Sequence, residues 1–163
     1  MRIRLVKKRI WGNYLVIDEN GLSLFEIGFP KKFRIDNMAM TIGKDEYSAR
    51  TDRSIVRKYQ IFRNGYIIGK IQLDGGRGAF LQLLDEKLIQ RYYKLFFPSI
   101  WKKEFILNDE KDDVIIEGSA KFNWKSFTNQ YQFDIAELDN EVNVNELIFS
   151  VFEALVILTL AQG

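Results

Sequence analysis

The sequence contains no histidine and no cysteine among its 163 residues, and it has two prolines. Without histidine there is no Ser–His or Cys–His nucleophile pair, no histidine ligand for a metal and no imidazole general base. Without cysteine there is no disulfide framework and no thiolate zinc site, which fits a reducing compartment. The scarcity of proline argues against long proline-rich linkers. We therefore expect a protein that is not an enzyme and that holds no cofactor.

A strong charge of one sign is also missing. Lys and Arg number 24 and Asp and Glu number 22, which leaves a net charge of +2. This balance predicts no bulk attraction to nucleic acid. The basic stretch at residues 1–11 lacks the following apolar run of a secretory signal peptide. The length fits one domain over residues 1–163, and we expect it in the cytoplasm.

The longest apolar run is in residues 147–161, which read LIFSVFEALVILTLA. In its second half, apolar side chains go nearly all the way round a helical wheel, and such a helix is buried on every side. The run would be about 22 Å long as a helix, shorter than the roughly 30 Å hydrocarbon core of a bilayer. Glu153 would also place a carboxylate in lipid, which is costly. The run therefore predicts the core of a globular domain, with a tail anchor as the less favoured alternative and no transmembrane segment.

The sequence also marks where this helix begins. Asn143 has the chemistry of an N-cap, and Glu146 follows three residues later, as in a variant of the capping box. We therefore predict a helix over about residues 144–161. Glu146, Ser150 and Glu153 share one stripe of the helix, and we expect this stripe near the mouth of a closed sheet. The residues expected deep inside are Val156, Ile157, Leu158 and Leu160.

The chain before the helix, up to about residue 136, has strand patterns. Asn-Gly pairs at 20–21 and 64–65 separate apolar runs and predict type I′ hairpins, because that turn needs two residues with positive φ. The glycine-rich residues 75–78 predict another hairpin and not a phosphate-binding loop, because a strand pattern follows them. Residues 85–97 fit a helix or a strand, and we favour a strand. The other predicted strands are 2–6, 14–17, 22–27, 59–62, 66–73, 79–83, 104–107, 114–117, 121–124 and 130–135.

Few folds combine many strands with one apolar helix at the end, and one of them is a closed barrel that encloses the helix. The order of the elements is the informative feature. It consists of the hairpins at 14–27 and 59–73, the segment 114–124, the run 131–135, an acidic spacer and then the helix. In this order the chain resembles the tubby C-terminal-like superfamily, which includes tubby, plant LURP-one-related proteins, phospholipid scramblases and small bacterial homologues. The resemblance implies a mainly β fold, a closed antiparallel barrel of roughly twelve strands around a central hydrophobic C-terminal helix. A helix-grip fold, in which the helix roofs a ligand cavity, is the alternative.

Basic residues are the remaining candidates for a binding surface. Tubby binds phosphoinositide headgroups through basic side chains on its barrel, so the resemblance implies anionic membrane lipid as a partner. Arg57, Lys58 and Arg63 flank one hairpin and are the first candidate contacts, because Lys and Arg clamp phosphate groups. Lys31 and Lys32 form a second candidate group. Scattered surface charge, balanced by acids, is the alternative interpretation of all these residues.

Two acidic features complete the candidates. Glu153, in the apolar helix, is a candidate buried carboxylate that binds a ligand or a proton, unless it pairs with a basic residue near the barrel mouth. Residues 109–113 are acidic but lack the glycine at the sixth position of a calcium-binding EF-hand, so we expect a solvated loop and no metal. The function predicted from the sequence is therefore a binding or tethering module, peripheral to an anionic membrane or bound to a partner protein. A small-molecule binder with an internal cavity, a weak carboxylate hydrolase and a purely structural role are the alternatives.

Overall fold

The described residues form a closed antiparallel β-barrel of twelve strands with one helix inside it. A computed structural model describes residues 1–7, 10, 12–29, 38–51, 58–75, 77–99, 103–125 and 128–162. Each strand pairs with its neighbours in sequence, and β1 pairs with β12 to close the barrel. The predicted fold class is confirmed. The elements are β1 (Arg2–Lys7), β2 (Tyr14–Asp18), β3 (Ser23–Gly28), β4 (Ala39–Ile42), β5 (Asp45–Thr51), β6 (Lys58–Arg63), β7 (Tyr66–Asp74), β8 (Gly78–Leu84), β9 (Gln90–Phe96), β10 (Glu104–Asp109), β11 (Val114–Asn123), β12 (Thr128–Ile135) and α1 (Val144–Gln162).

The helix is the centre of the hydrophobic core. Every residue from 147 to 158 is buried, and the alternate inward-facing residues of the strands surround them. The ring of Phe152, for example, lies edge-on to the rings of Tyr14 and Tyr131, with centroids 4.7 and 5.1 Å away. Because a closed barrel encloses α1, the helix-grip alternative is wrong. Among the described residues, no helix combines the length and the apolar character that crossing a bilayer requires.

Of the polar stripe predicted near the barrel mouth, Glu146 lies there in the first turn of the helix, whereas the prediction is wrong for Ser150 and Glu153. Ser150 and Glu153 are both 0% exposed. The helix begins at the mouth, so Ser150 already lies about 9 Å further along the axis than Val144. The hydroxyl of Ser150 donates to the backbone carbonyl of Glu146 at 2.8 Å, so the helix itself satisfies this buried polar group. Thr159 is the first exposed residue beyond the buried stretch.

The start of the helix agrees with its predicted cap. Oδ1 of Asn143 accepts a hydrogen bond from the backbone N–H of Glu146 at 3.1 Å, as an N-cap residue should. The carboxylate of Glu146 accepts a hydrogen bond from Arg63 on the barrel wall at 3.1 Å. The N-cap hydrogen bond of the capping box is therefore formed by Asn143, whereas the side chain of Glu146 joins the helix to the barrel wall.

The two Asn-Gly hairpins are present, but their turns differ. Asn64 and Gly65 have φ values of 51° and 83°, which confirms the type I′ turn between β6 and β7. At the other pair, Gly21 alone has a positive φ, of 84°. There the N–H of Gly21 donates to the carbonyl of Asp18 at 3.1 Å, and the N–H of Asp18 donates to the carbonyl of Leu22 at 3.0 Å. This is a longer loop with a glycine in the left-handed conformation, so the type I′ prediction is wrong at this position.

The same five-residue turn occurs at residues 18–22, 85–89 and 109–113. Each turn begins with an Asp whose Oδ1 accepts hydrogen bonds from the backbone N–H groups two and four residues later. The fourth residue of each turn has a positive φ. Glycine fits this left-handed position without steric cost, whereas other residues are strained there. The three residues at that position are Gly21, Leu88 and Asp112.

Three strand assignments refine the sequence prediction. Residues 90–96 of the ambiguous segment form β9, which confirms the preference for a strand. Residues 114–117 and 121–124, predicted as two strands, belong to the single strand β11 except for the last residue. They are continuous because Gly118 stays in the ladder, where the ring of Phe105 occupies the space of the missing side chain. The strands β4 and β5 were not predicted.

Antiparallel pairing divides the connections between two ends of the barrel. The proximal end, where α1 begins, has the connections at residues 19–22, 43–44, 64–65, 85–89, 110–113 and 136–143. The distal end is where β1, β3, β5, β7, β9 and β11 finish. All connections of the proximal end belong to the described residues.

Candidate functional site

The proximal end is acidic. Acidic side chains in its connections, or within two residues of a strand end, outnumber the basic ones. The acidic residues are Asp18, Glu19, Asp45, Glu46, Asp85, Glu86, Asp109, Glu110, Asp112, Asp113, Asp134, Glu137, Asp139 and Glu141. The basic residues are Arg2, Arg4, Lys44, Arg63, Lys87, Arg91 and Lys111.

Several of these basic residues are engaged by the acids around them. The guanidinium of Arg63 lies 2.7 Å from Asp45, 3.1 Å from Glu146 and 3.7 Å from Glu86. Burial raises the pKa of Glu146, and the nearby Arg63 opposes that shift. The hydrogen bond to Asp45 is the main reason why the pKa of Arg63 is raised. Arg63 is therefore held among carboxylates of the protein itself.

A second ion-pair cluster fixes the segment that leads into the helix. Arg91 lies 2.9 Å from the buried carboxylate of Asp85 and 3.3 Å from Glu141. Burial raises the pKa of Asp85, but hydrogen bonds from the backbone N–H of Ile89, from Arg91 and from the N–H of Lys87 outweigh it and leave the pKa below its usual range. This cluster ties residues 136–143 to the turn between β8 and β9. Its role is to position α1 at the barrel mouth.

A groove opens beside this cluster. It has a volume of about 280 Å³ and lies between β9, the turn of residues 109–113 and the segment 136–142. Its apolar lining residues are Tyr92, Val114, Ile115, Leu138 and Val142. Its acidic lining residues are Asp109, Glu110, Asp113, Glu137 and Asp139, and they outnumber its two basic lining residues, Arg91 and Lys111. An apolar groove with several carboxylates has the chemistry to hold a cation that carries an alkyl chain.

The distal end has the opposite charge. By the same criterion, its described acidic residues are Glu26, Asp74 and Glu104. Its described basic residues are Lys7, Arg50, Lys58, Arg77, Lys94, Lys103, Lys121 and Lys125. Lys7 lies over the rings of Tyr14 and Phe29, 5.0 Å from each centroid, and burial lowers its pKa. The net charge of +2 therefore conceals a separation of charge along the barrel axis.

The distal end also carries exposed aromatic side chains. Among the described residues, β10 pairs with β11 as far as Ser119, the next residue Ala120 donates to the carbonyl of Lys103, and β1 pairs with β12 as far as Tyr131. The β11–β12 ladder continues past these described partners to the pair Asn123 and Thr128. Phe122 and Trp124 lie on this hairpin in an edge-to-face contact, with centroids 4.9 Å apart, and Trp124 is 76% exposed. Aromatic rings beside lysines are typical of surfaces that meet a membrane interface.

Of the residues predicted as lipid contacts, the structure describes two, and it places them at opposite ends of the barrel. Lys31, Lys32 and Arg57 lie outside the described residues. Lys58 begins β6 at the distal end, and Arg63 finishes it at the proximal end. The two are roughly 17 Å apart along the strand, so one headgroup cannot contact both.

The other predicted site residue, Glu153, lies in the middle of α1 within the barrel and is fully buried. Among the described residues, no group of three acidic side chains is arranged to hold a metal ion. Sequence reasoning missed the separation of charge between the two ends. The sequence does contain a signal for this separation, since every second connection between strands is rich in Asp and Glu.

Comparison with known proteins relates the chain to one fold. No protein-family model matches the sequence, and no curated protein matches it significantly. An X-ray structure of a protein from Arabidopsis thaliana is similar, with a TM-score of 0.60 and 18% sequence identity. The match covers 99% of this chain and 92% of the plant chain. At this identity the similarity shows a shared barrel fold.

Proposed function

We propose that the protein is a non-enzymatic module that binds anionic membrane surfaces through its distal end. The separation of charge along the barrel axis carries this proposal. An anionic surface attracts the basic distal end and repels the acidic proximal end, so it orients the barrel as well as binding it. Each Lys or Arg near such a surface contributes about 1 kcal/mol. The protein would act in the cytoplasm, peripheral to a membrane.

The β11–β12 hairpin at the distal end supports the same orientation. Lys121 and Lys125 are exposed and flank Phe122 and Trp124. In this arrangement the ammonium groups meet lipid phosphates while the rings reach the headgroup region. The hairpin would be the first part of the described chain to contact the bilayer.

We also propose that the chain is a member of the tubby C-terminal-like superfamily. The order of strands, the enclosed C-terminal helix and the barrel shared with the plant protein support this proposal. Tubby itself binds phosphoinositide headgroups, and this activity agrees with a basic distal end.

Vesicle sedimentation tests the proposal. The protein is mixed with phosphatidylcholine vesicles that contain or lack phosphatidylserine, at low and high salt. We expect binding only with phosphatidylserine, weakened by salt because salt screens exposed charges. The double variant Lys121→Glu/Lys125→Glu should lose more than about tenfold in affinity at low salt.

The matched control is Lys44→Glu/Lys70→Glu, which changes the net charge equally but alters two exposed lysines away from the distal end. It should bind nearly as well as the unmodified protein. Equal loss in both double variants would show general attraction without a binding face. Failure of the unmodified protein to bind phosphatidylserine vesicles would refute the proposal.

A further inference from the structure

We propose that the groove at the proximal end binds a segment of a partner protein in which Lys or Arg alternates with apolar residues. The groove combines an apolar lining, from Tyr92, Val114 and Leu138, with carboxylates on the same surface. A long basic side chain can lay its alkyl stem on the apolar lining while its charged group reaches the acids. This inference concerns the end of the barrel that is opposite the proposed membrane face and does not depend on that face.

Charge complementarity favours this occupant. Within the described ranges, no basic residue forms an ion pair with Glu110, Asp113 or Glu137. The groove has five acidic lining residues against two basic ones, Arg91 and Lys111, so its surface carries excess negative charge. Asp139 lies 4.0 Å from Arg91, so the charge of its carboxylate is only partly compensated. An excess of carboxylates around an apolar groove attracts a cationic partner and repels nucleic acid and anionic lipid.

Exposed apolar residues continue the surface next to the groove. Tyr92 and Val114 line the groove and are themselves about half exposed. Leu88 and Ile89, in the neighbouring turn, are 76% and 54% exposed. Apolar side chains grouped in this way, with polar residues around them, mark a protein-binding surface. A partner segment with apolar residues between its basic ones would cover them.

A peptide-binding experiment on the full chain tests the inference. The probe is a fluorescent peptide of alternating Lys and Leu, and binding is followed by fluorescence anisotropy at moderate salt. A peptide with Glu in place of Lys and a Lys–Ser peptide without apolar residues serve as comparisons. We expect the Lys–Leu peptide to bind most tightly and the Glu–Leu peptide not to bind.

The decisive comparison uses two variants with the same change in charge. Glu110→Gln/Glu137→Gln alters the groove, whereas Glu19→Gln/Glu46→Gln alters exposed acids of the proximal end outside it. The groove variant should lose about tenfold in affinity and the control should lose less than about twofold. Because all four residues are exposed, both variants should melt at the temperature of the unmodified protein.

Three results would overturn the inference. Equal loss in the two variants would indicate diffuse attraction to the acidic end. If spermine displaces the peptide completely and binds as tightly as the peptide does, the ligand of the groove is a small amine. A groove variant that instead dissociates a dimer in analytical ultracentrifugation would make it a second copy of this chain.

Discussion

Arg63, at the end of β6, donates a hydrogen bond from Nη1 to the carboxylate of Glu146 at 3.1 Å, and this bond joins the barrel wall to the first turn of the enclosed helix. The side chain of Glu146 is only 6% exposed, so its charge depends on a nearby cation. The same guanidinium binds Asp45 at 2.7 Å. One arginine therefore compensates charges on the helix and on the sheet.

Replacing this arginine should expose the cost of burying Glu146. We expect Arg63→Met to lower the free energy of unfolding by about 2–3 kcal/mol, because a buried carboxylate loses its partner. The double variant Arg63→Met/Glu146→Gln should recover much of that loss, because it removes the buried charge as well. Urea denaturation of both proteins measures the difference. If the double variant is no more stable than Arg63→Met, Glu146 does not depend on this pairing.

The pH dependence of stability tests the same carboxylate. Burial raises the pKa of Glu146 above its ordinary value of 4.5. A carboxyl group of this kind binds its proton more tightly in the folded state, so its contribution to stability is complete below pH 4.5 and is lost as the pH rises through the folded pKa. Relative to Glu146→Gln, the unmodified protein should therefore become less stable between pH 4.5 and pH 7. Melting curves of the two proteins across this range give the difference in their stability. Contributions from carboxyl groups that both proteins have, such as Asp45, largely cancel in this difference. A constant difference would show that the pKa is not raised.

The depth of the helix in the barrel can be tested with single carboxylates. Ser150→Asp and Ile157→Asp should each prevent cooperative folding or cost several kcal/mol, because both positions are buried on all sides. Thr159→Asp, at the first exposed position beyond them, should melt within a few degrees of the unmodified protein. Circular dichroism during heating distinguishes these outcomes. A mild effect at Ser150 would place that residue near water and contradict its position in the barrel.

The strained turn at Leu88 offers a stabilising substitution. Leu88 has φ of 61° and is largely exposed, whereas Gly21 occupies the equivalent position in the turn of residues 18–22. A left-handed residue other than glycine costs roughly 1–2 kcal/mol, part of which is offset by the greater freedom of glycine in the unfolded chain. We expect Leu88→Gly to stabilise the protein by about 0.5–1 kcal/mol, and Gly21→Leu to destabilise it, as measured by urea denaturation. A destabilised Leu88→Gly would mean that the exposed leucine makes contacts that outweigh its backbone strain.

Local sequence signals predicted much of the fold. The apolar helix, its cap at Asn143 and the turn at residues 64–65 each depend on neighbouring residues, and each is present in the structure. The second Asn-Gly turn differs because Asp18 supplies two side-chain hydrogen bonds to the backbone, which stabilise a longer loop. The Asp at the start of that turn was a readable signal, and it also marks the turns at residues 85 and 109.

The candidate surfaces were harder to predict because they depend on which strand ends lie together. Lys58 and Arg63 are close in sequence, yet the strand between them carries them to opposite ends of the barrel. Residues 109–113 and 136–142 are far apart in sequence, yet they line one groove. Composition records the number of charges but not the direction of each strand. The nearly neutral total therefore gave no sign that the two ends differ.

The pairing of β1 with β12 has a consequence for the synthesis of the chain. Arg2 lies opposite Asp134, 132 positions later, and the helix that fills the barrel follows β12. During translation, β1 therefore has an open edge, and the barrel wall encloses no helix, until β12 and α1 have left the ribosome. Contacts this distant in sequence form slowly, and an unpaired strand edge invites pairing with other chains. The nascent protein should consequently need protection by chaperones until β12 and α1 emerge, and heating the folded protein should release both edges at once.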